Sequence, residues 1–333
     1  PNHPNMELVE LEEENYFFKL SNYTDKLAQL YAGGDLVVPD YRLNEIRSLI
    51  SEKGLQDFSI SRLKEKMPWG VEVPGDESQV MYVWFDALVN YISTLNWPQD
   101  KAHFAKFWNG TPDCVQMAGK DQVRQQACMW QAMLMSAQLP RTGKIFIHGF
   151  ITSHGQKMSK SLGNVIDPVA LVSEYGTDAL RYFLLRHIHP TEDSDFTMEK
   201  FKEAYNSDLA NGLGNLASRI MQLAEKNLPG PVSLEFTGYP KEFTDALDAF
   251  EINKAADFVW EKIGKLDQKI TQTEPFKVIK TDPERGRELI ADLVKELAAI
   301  DLLLEPIIPE TSKKIIEAIM ANKKPENLFP RKD

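Results

Sequence analysis

The residues with the plainest chemical potential are two lysines three positions apart, Lys157 and Lys160, with Ser159 between them and Ser161 directly after. Two ammonium groups with hydroxyls beside them form a positive clamp for an anion. Such a clamp matters most where charge builds on the oxygens of a departing pyrophosphate, as in phosphoryl or adenylyl transfer. Gly155 and Gly163 flank the cluster and give the loop room to move. Most Lys/Ser-rich loops are only solvated surface. This one follows an apolar run, Lys144-Ile145-Phe146-Ile147-His148, and leads into Asp167-Pro168, an N-cap with proline at the first helical position. Strand, lysine loop and capped helix in that order describe a nucleotide site.

The elements before the loop repeat a strand-then-helix pattern. Val80 to Phe85 is a near-continuous β-prone run, expected as a parallel strand buried on both faces and ending at Asp86. Ala87 to Leu95 then reads as a helix. Cys114 to Ala118 is a short strand, Gly119-Lys120-Asp121 a turn, and Gln122 to Ala137 a helix with Val123, Ala127, Trp130 and Leu134 at helical spacing. Alternation of this kind predicts an open parallel α/β sheet, with ligands at the carboxyl ends of the strands. Asp86, Gly119 to Asp121 and the Lys157 loop are all expected there. Upstream, Tyr16-Phe17-Phe18 reads as an edge strand, and two short helices flank Gly33-Gly34. Gly176 should stop the helix after Pro168, with Thr177 capping the next. His187 and His189 read as a polar helix terminus rather than a metal pair.

From Thr197 the pattern is nearly all helical. Phe201, Tyr205, Leu209, Leu213, Leu216, Ile220 and Leu223 predict one long amphipathic helix. Further helices carry Leu247 to Ile270 and Leu289 to Leu304, and a short one starts near Thr311. Asn211, Asn215 and Arg219 lie four apart and share a face beside the apolar stripe, a pattern usual for solvated surface.

At Lys157 to Ser161, KMSKS, the chain resembles the class I aminoacyl-tRNA synthetases, and its wider text resembles the methionyl-tRNA synthetase family across nearly its whole length. The matching residues include Glu14 to Leu20, Ser59 to Arg62, Tyr82 to Leu88, Asn90-Tyr91, Gly119 to Asp121, His148-Gly149, Asn206, Asp208 to Asn211, Asn215-Leu216 and Arg219. The resemblance implies the second half of a Rossmann-like parallel sheet followed by an all-α anticodon-binding bundle. It places the tail of a connective insertion in residues 1–22, the catalytic half in 23–196 and the bundle in 197–333. It implies methionine activation by ATP, brought as a Mg2+ complex, and transfer to tRNA(Met). Lys157 and Lys160 would hold the phosphates with Ser159 and Ser161. His148 and Ile151 would line the adenine site, and Gly119 and Asp121 would take the ribose. Trp84, Ala87, Leu88, Tyr91, Gln126 and Trp130 would line the methionine pocket, with Arg62 facing the amino-acid or adenylate end. Asn215, Arg219 and Phe276 would meet the anticodon.

The departures carry equal weight. The family's other signature, HIGH, does not occur in these 333 residues and is expected upstream. Zinc-knuckle cysteines are absent too, so any zinc would belong to such a segment, with Pro1 to Pro4 as the tail of a knuckle. Many relatives carry histidine at the position of Gln126 and an aliphatic residue at Gln122. Gln122-Val123-Arg124 resembles the isoleucine branch instead. Phe276 stands where tryptophan is common. Two alternatives follow: a synthetase for isoleucine, leucine or valine, or a tRNA-binding fragment without catalysis. Net charge is −11, against a general nucleic-acid binder but compatible with a local basic groove. With no apolar run near the ~20 residues of a membrane span, no signal-peptide layout and only Cys114 and Cys128, a cytoplasmic protein without membrane or disulfide framework is expected. Nothing in the composition fixes an oligomeric state.

Overall fold

A computed structural model describes residues 12–51, 54–159, 161, 163–235 and 238–332. Its contacts divide the chain into two compact units, Pro1–His148 and Gly149–Asp333.

The first unit is built on a three-stranded parallel sheet with Lys144–His148 in the middle, Val37–Val38 on one side and Val115–Gly119 on the other. The middle strand is an apolar run because both its faces are covered: Ile145, Phe146 and Ile147 are 0–2% exposed. Between the two longer strands the chain crosses over through helical residues 120–136, which bury Val123, Ala127, Trp130 and Leu134. That crossover is less regular than its spacing predicts. It begins as a 3-10 turn at Lys120–Gln122, widens to a π-helix at Arg124–Met129 and becomes α-helical at Trp130–Ser136. Val37–Val38 is too short to show a period and was not expected as a strand.

The run Val80 to Phe85 is a correction. Its strand, Asp76–Met81, is antiparallel to Ser61–Leu63 and Glu72–Val73 and stops at Met81. Tyr82 turns the chain, and Val83–Leu88 is a helix. Trp84, Phe85 and Leu88 face inward at helical spacing, while Val83 is 50% exposed. A six-residue apolar run fits a buried strand or one helix face equally well, and here the packing decides it. Asp86 therefore sits in a helix's first turn and not at a strand end. The expected edge strand is present: Phe17–Phe18 pairs antiparallel with Phe58–Ser59.

In the second unit, Ile151–Ser153 folds back on Gln156–Lys157 around Gly155, whose φ of +71° suits glycine. Ser194–Asp195 pairs in parallel on its other side. The helices follow: Pro168–Tyr175, Thr177–Arg186, Met198–Ala204, Asn215–Asn227, Lys241–Asp248, Ile252–Thr273, Pro275–Thr281, Pro283–Leu304 and Pro309–Ala321. Asp167 caps Pro168–Tyr175 by accepting from the Val169 N–H, and Gly176 ends it at φ +88°. Thr177 begins the next helix, whose cap position is Gly176. The long helix from Met198 to Asn227 widens to a π-helix across Tyr205–Gly214. One core runs from Leu171, Tyr182 and Phe183 through Leu209, Trp260 and Leu297. Residues 149–196 thus share their core with the helices that follow, and the compact units part at His148/Gly149 rather than at the 196/197 change of pattern.

Candidate active site

Three of the residues expected at the nucleotide converge at the carboxyl edge of the parallel sheet. Gly119 and His148 are register partners at the ends of neighbouring strands. A Cβ added to Gly119 would lie 2.8 Å from Asp121 Oδ1 and 3.6 Å from the His148 ring. Glycine at 119 is what lets the carboxylate and the imidazole approach the same backbone. Asp121 is exposed, in the turn that starts the crossover, where its oxygens can accept from ligand hydroxyls.

Beside this corner lies an aromatic and amide cluster. Trp130 is 1% exposed, its ring 5.9 Å from Tyr91 and 6.0 Å from Trp108. It is a core side chain that backs Tyr91, and its indole Nε1 is buried with no hydrogen-bond partner. Trp84 and Ala87 are half-buried on the Val83–Leu88 helix, and Leu88 is buried in the same core. Gln126, 4% exposed, donates from Nε2 to the Tyr91 hydroxyl oxygen at 2.9 Å. The tyrosine oxygen accepts there, so its own proton remains for another acceptor. Behind Gln126 stand Gln116, Gln131 and Thr142, all buried. Gln131 donates to the Gln126 carbonyl at 3.2 Å and to Thr142 Oγ1 at 2.8 Å, and Thr142 donates from Oγ1 to Gln116 Oε1. Gln116 Nε2 in turn donates to Gln126 Oε1 at 3.5 Å, and since buried amides are costly unless paired, that contact and the Tyr91 bond orient the Gln126 side chain. The π-helical turn carrying residues 124–129 is what brings Gln126 to Tyr91.

Arg62 stands apart from that cluster, on the small antiparallel sheet. Its guanidinium lies 4.1 Å over the Tyr82 ring and donates to Ser59 Oγ and the Ser61 carbonyl, both at 2.7 Å.

In the second unit, Lys157 is exposed at the end of the hairpin, with its ammonium 5.0 Å from the Phe150 ring. Ile151, 39% exposed, opens the hairpin's first strand. Lys160 lies outside the described residues, as do Pro1 to Pro4. Asn164 grips the loop backbone: its Oδ1 accepts from the Ser159 N–H at 2.9 Å, and its Nδ2 donates to the Lys157 carbonyl at 3.3 Å. The Ser159 and Ser161 hydroxyls are 2.6 Å apart. On the entering side, Asp195 Oδ1 accepts from the Gly155 N–H at 2.9 Å and from Thr152 Oγ1 at 3.0 Å. These bonds, the one from Gly155 first, hold the Asp195 carboxyl below the usual carboxylate range.

The residues expected at an anticodon all lie on the helices. Asn215 is exposed. Arg219 donates to Asp267 Oδ1 at 2.7 Å, an exposed pair whose net worth is about 0–1 kcal/mol and which a ligand can displace. Phe276 is 41% exposed, two residues after Glu274, a left-handed break at φ +40°. Asp267 sits on Ile252–Thr273, so Arg219 docks about 9 Å along that helix from its Thr273 end.

A family model for class I tRNA synthetases, type M, matches residues 5–221. A methionine–tRNA ligase of Mesorhizobium japonicum is 38% identical over 96% of this chain and 67% of its own length. One from Brucella melitensis is 39% identical over 93% of this chain and 62% of its own. A solved Mycobacterium tuberculosis methionyl-tRNA synthetase, in complex with methionyl-adenylate, superposes with a TM-score of 0.85 at 35% identity, over 96% of this chain and 69% of that one. The chain belongs to the methionyl-tRNA synthetase family. It spans 62% of the Brucella relative's length, and 65% of that of a Rickettsia prowazekii relative.

Several side chains that organise this synthetase-family site went unnoticed in the sequence. Asn164 follows Gly163 in a Gly-Asn pair, a turn signal that marks a side chain able to bond nearby backbone. Gln116, Gln131 and Thr142 gave no signal, because isolated amides in amphipathic text read as surface. Two residues that the sequence did single out, Asp208 and His187, join the Thr177–Arg186 helix to the π-helix with partners it did not: Tyr182 donates to Asp208 Oδ2 at 2.5 Å, Arg186 donates to the same oxygen at 3.1 Å, and His187 Nε2 lies 3.6 Å away. Burial alone would raise the Asp208 carboxyl, but these partners and Ser207 outweigh it and bring it to about 2. Among the described residues, no cluster could hold a metal ion and no helix is long and apolar enough to cross a membrane.

Proposed function

We propose that this chain acts in the ATP-dependent ligation of methionine to tRNA(Met), through methionyl-adenylate, in the cytoplasm. The observation that carries the reading is the likeness, over 96% of the chain, to a methionyl-tRNA synthetase solved with methionyl-adenylate. The convergence of Gly119, Asp121 and His148 supports it at the nucleotide end.

In the first step a methionine carboxylate oxygen attacks the α-phosphorus of ATP, and the bond to the bridging oxygen of pyrophosphate breaks. The charge that develops there is met by Lys157 and Lys160, with the Ser159 and Ser161 hydroxyls beside them. ATP enters as its Mg2+ complex, which neutralises part of the same charge. Asp121 and the backbone at Gly119 take the ribose, and His148 with Ile151 lines the adenine. Leu88, Trp84, Ala87 and Tyr91, held by Gln126 and backed by Trp130, form an apolar cage for a thioether. Arg62 faces the adenylate end. In the second step the hydroxyl of the 3′-terminal ribose attacks the acyl carbon and AMP leaves. Residues 197–333 face the anticodon, where Asn215 and Arg219 can hydrogen-bond unstacked bases and Phe276 can stack on one.

ATP–pyrophosphate exchange, with the protein produced from its natural reading frame, tests the reading. Methionine is expected to drive exchange, and isoleucine, leucine and valine are not. Exchange driven by isoleucine alone would assign the chain to the branch that Gln122-Val123-Arg124 resembles. Replacing Lys160 by alanine should slow adenylate formation by roughly 10²–10³, the scale of one preorganised charge-stabilising contact.

A further inference from the structure

The lysine loop is fastened at its base by a carboxylate that the reaction itself does not use. Asp195 lies on the Ser194–Asp195 strand, in parallel register with Ile151 and Thr152. Its Oδ1 accepts from Gly155 N–H, at the tip of the hairpin, and from Oγ1 of Thr152, its own register partner. Backbone bonds tie the same strand to the hairpin on both sides: Ser194 N–H to the Phe150 carbonyl at 3.0 Å and Phe196 N–H to the Thr152 carbonyl at 2.9 Å. Two residues on, Thr197 Oγ1 accepts from the Lys200 N–H and caps the helix Met198–Ala204. Asp195 therefore touches the hairpin's tip while lying three residues before the start of the long helix.

Geometry makes this bond consequential. Gly155 turns at φ +71°, and a two-residue pairing, Gln156 with Ser153 and Lys157 with Thr152, is all that carries the turn back to Lys157. A hairpin that short does not hold itself together in water. The Asp195 bond to its tip supplies a fixed point two residues before Lys157.

We infer that Asp195 is a positioning residue for the lysine loop: it sets where Lys157 stands when pyrophosphate departs, and it ties that position to the helix beginning at Met198. The inference rests on the proposed role of the loop in adenylate formation.

The test combines hydrogen exchange at the Gly155 amide with ATP–pyrophosphate exchange. In Asp195→Ala the amide should exchange at least tenfold faster, and kcat should fall roughly tenfold to a hundredfold, the scale of losing hydrogen bonds to a charged group. KM for methionine should stay within about twofold, because the amino-acid cage is untouched. Asp195→Asn keeps an acceptor oxygen and should restore both readouts. Thr152→Val removes one of the two bonds and should give an intermediate loss with an unchanged melting temperature. Unchanged protection at Gly155 in Asp195→Ala overturns the inference, as does faster exchange with an unchanged kcat, or an asparagine variant as slow as alanine. Lys157→Ala, measured alongside, separates the two readings. An unaffected rate there overturns the lysine-loop reading and the inference with it; a collapsed rate there beside an intact Asp195→Ala rate overturns only the inference.

Discussion

Two buried polar side chains of this chain have measurable consequences of opposite kinds. Gln126 lies in the wall of the proposed methionine cage, and its bond to Tyr91 is made by a neutral amide that does not titrate. Replacing it with leucine removes the donor to Tyr91 and the side-chain acceptor of Gln116 Nε2, while the bond from Gln131 to the residue-126 carbonyl stays. Losing one buried partner costs about 1–3 kcal/mol. Methionine affinity is thus expected to weaken roughly fivefold to a hundredfold by calorimetric titration, with ATP affinity unchanged. Asp301 is 4% exposed on the Pro283–Leu304 helix, and its Oδ1 has no hydrogen-bond partner. Burial pushes its carboxyl up to about 7, with Glu305 adding to the rise and Ser312 opposing it. The folded protein then binds a proton that the unfolded chain releases near its ordinary range. Between about pH 4 and 7 this group makes stability fall as pH rises, and above 7 the loss is complete. Asp301→Asn should therefore melt progressively higher than the parent as pH goes from 5 to 8. A constant difference in melting temperature across that range would contradict the assignment.

At the scale of elements, what was legible in the sequence tracks how local the physics is. Asp167-Pro168 and Gly176 announce a helix, and the helix is there, because caps act through the residues that form them. The middle strand of the parallel sheet announces itself through Ile145 to Ile147 for a similar reason, since burial on both faces leaves an uninterrupted apolar run. Val83 to Phe85 read as strand but are helical, because a short apolar run holds no period long enough to separate the two structures. The π-helix at Tyr205–Gly214 left a trace: Phe201, Tyr205, Leu209 and Leu213 recur every four residues without a three-residue step, a spacing wider than 3.6. The grip of Asn164 left only its Gly-Asn turn signal, and that of Asp195 left none, since Asp195 joins residues whose proximity only the fold supplies. Helix packing around Phe276 gives a prediction of its own. A Cβ on Gly286 would fall 2.4 Å from the Ile279 Cα, so the Pro275–Thr281 helix can approach Pro283–Leu304 only over a glycine. Gly286→Ala must push that helix, and Phe276 with it, outward. Overpacking of this kind costs about 1–3 kcal/mol, and a matching drop in denaturant midpoint is expected together with weaker tRNA binding and unchanged pyrophosphate exchange.

Across the whole molecule, the proposed chemistry is distributed over two compact units with separate cores. The methionine cage and the Gly119–Asp121–His148 corner belong to the first, and the lysine hairpin shares the second with the helices. Because the hairpin and the helices share one core, activation and tRNA selection are separable only by mutations that leave that core intact. Asn215 and Arg219 sit on the outer face of the Asn215–Asn227 helix, whose inner face buries Leu216, Ala217, Ile220 and Met221. Replacing either with alanine removes no core contact, and the Arg219–Asp267 pair is exposed enough that its loss costs about 0–1 kcal/mol of stability. Both variants should therefore melt near the parent and form adenylate at the parent rate. Aminoacylation should fall through kcat/KM for tRNA, by roughly tenfold or more for Arg219 if it makes one charge-assisted bond to a base. With a net charge of −11 the chain as a whole repels RNA, so binding must rely on a few local cations, and the affinity of the Arg219 variant should depend less steeply on salt than the parent's. Equal losses in pyrophosphate exchange and aminoacylation would instead place the effect in the shared core of the second unit, and would remove the anticodon role from this helix face.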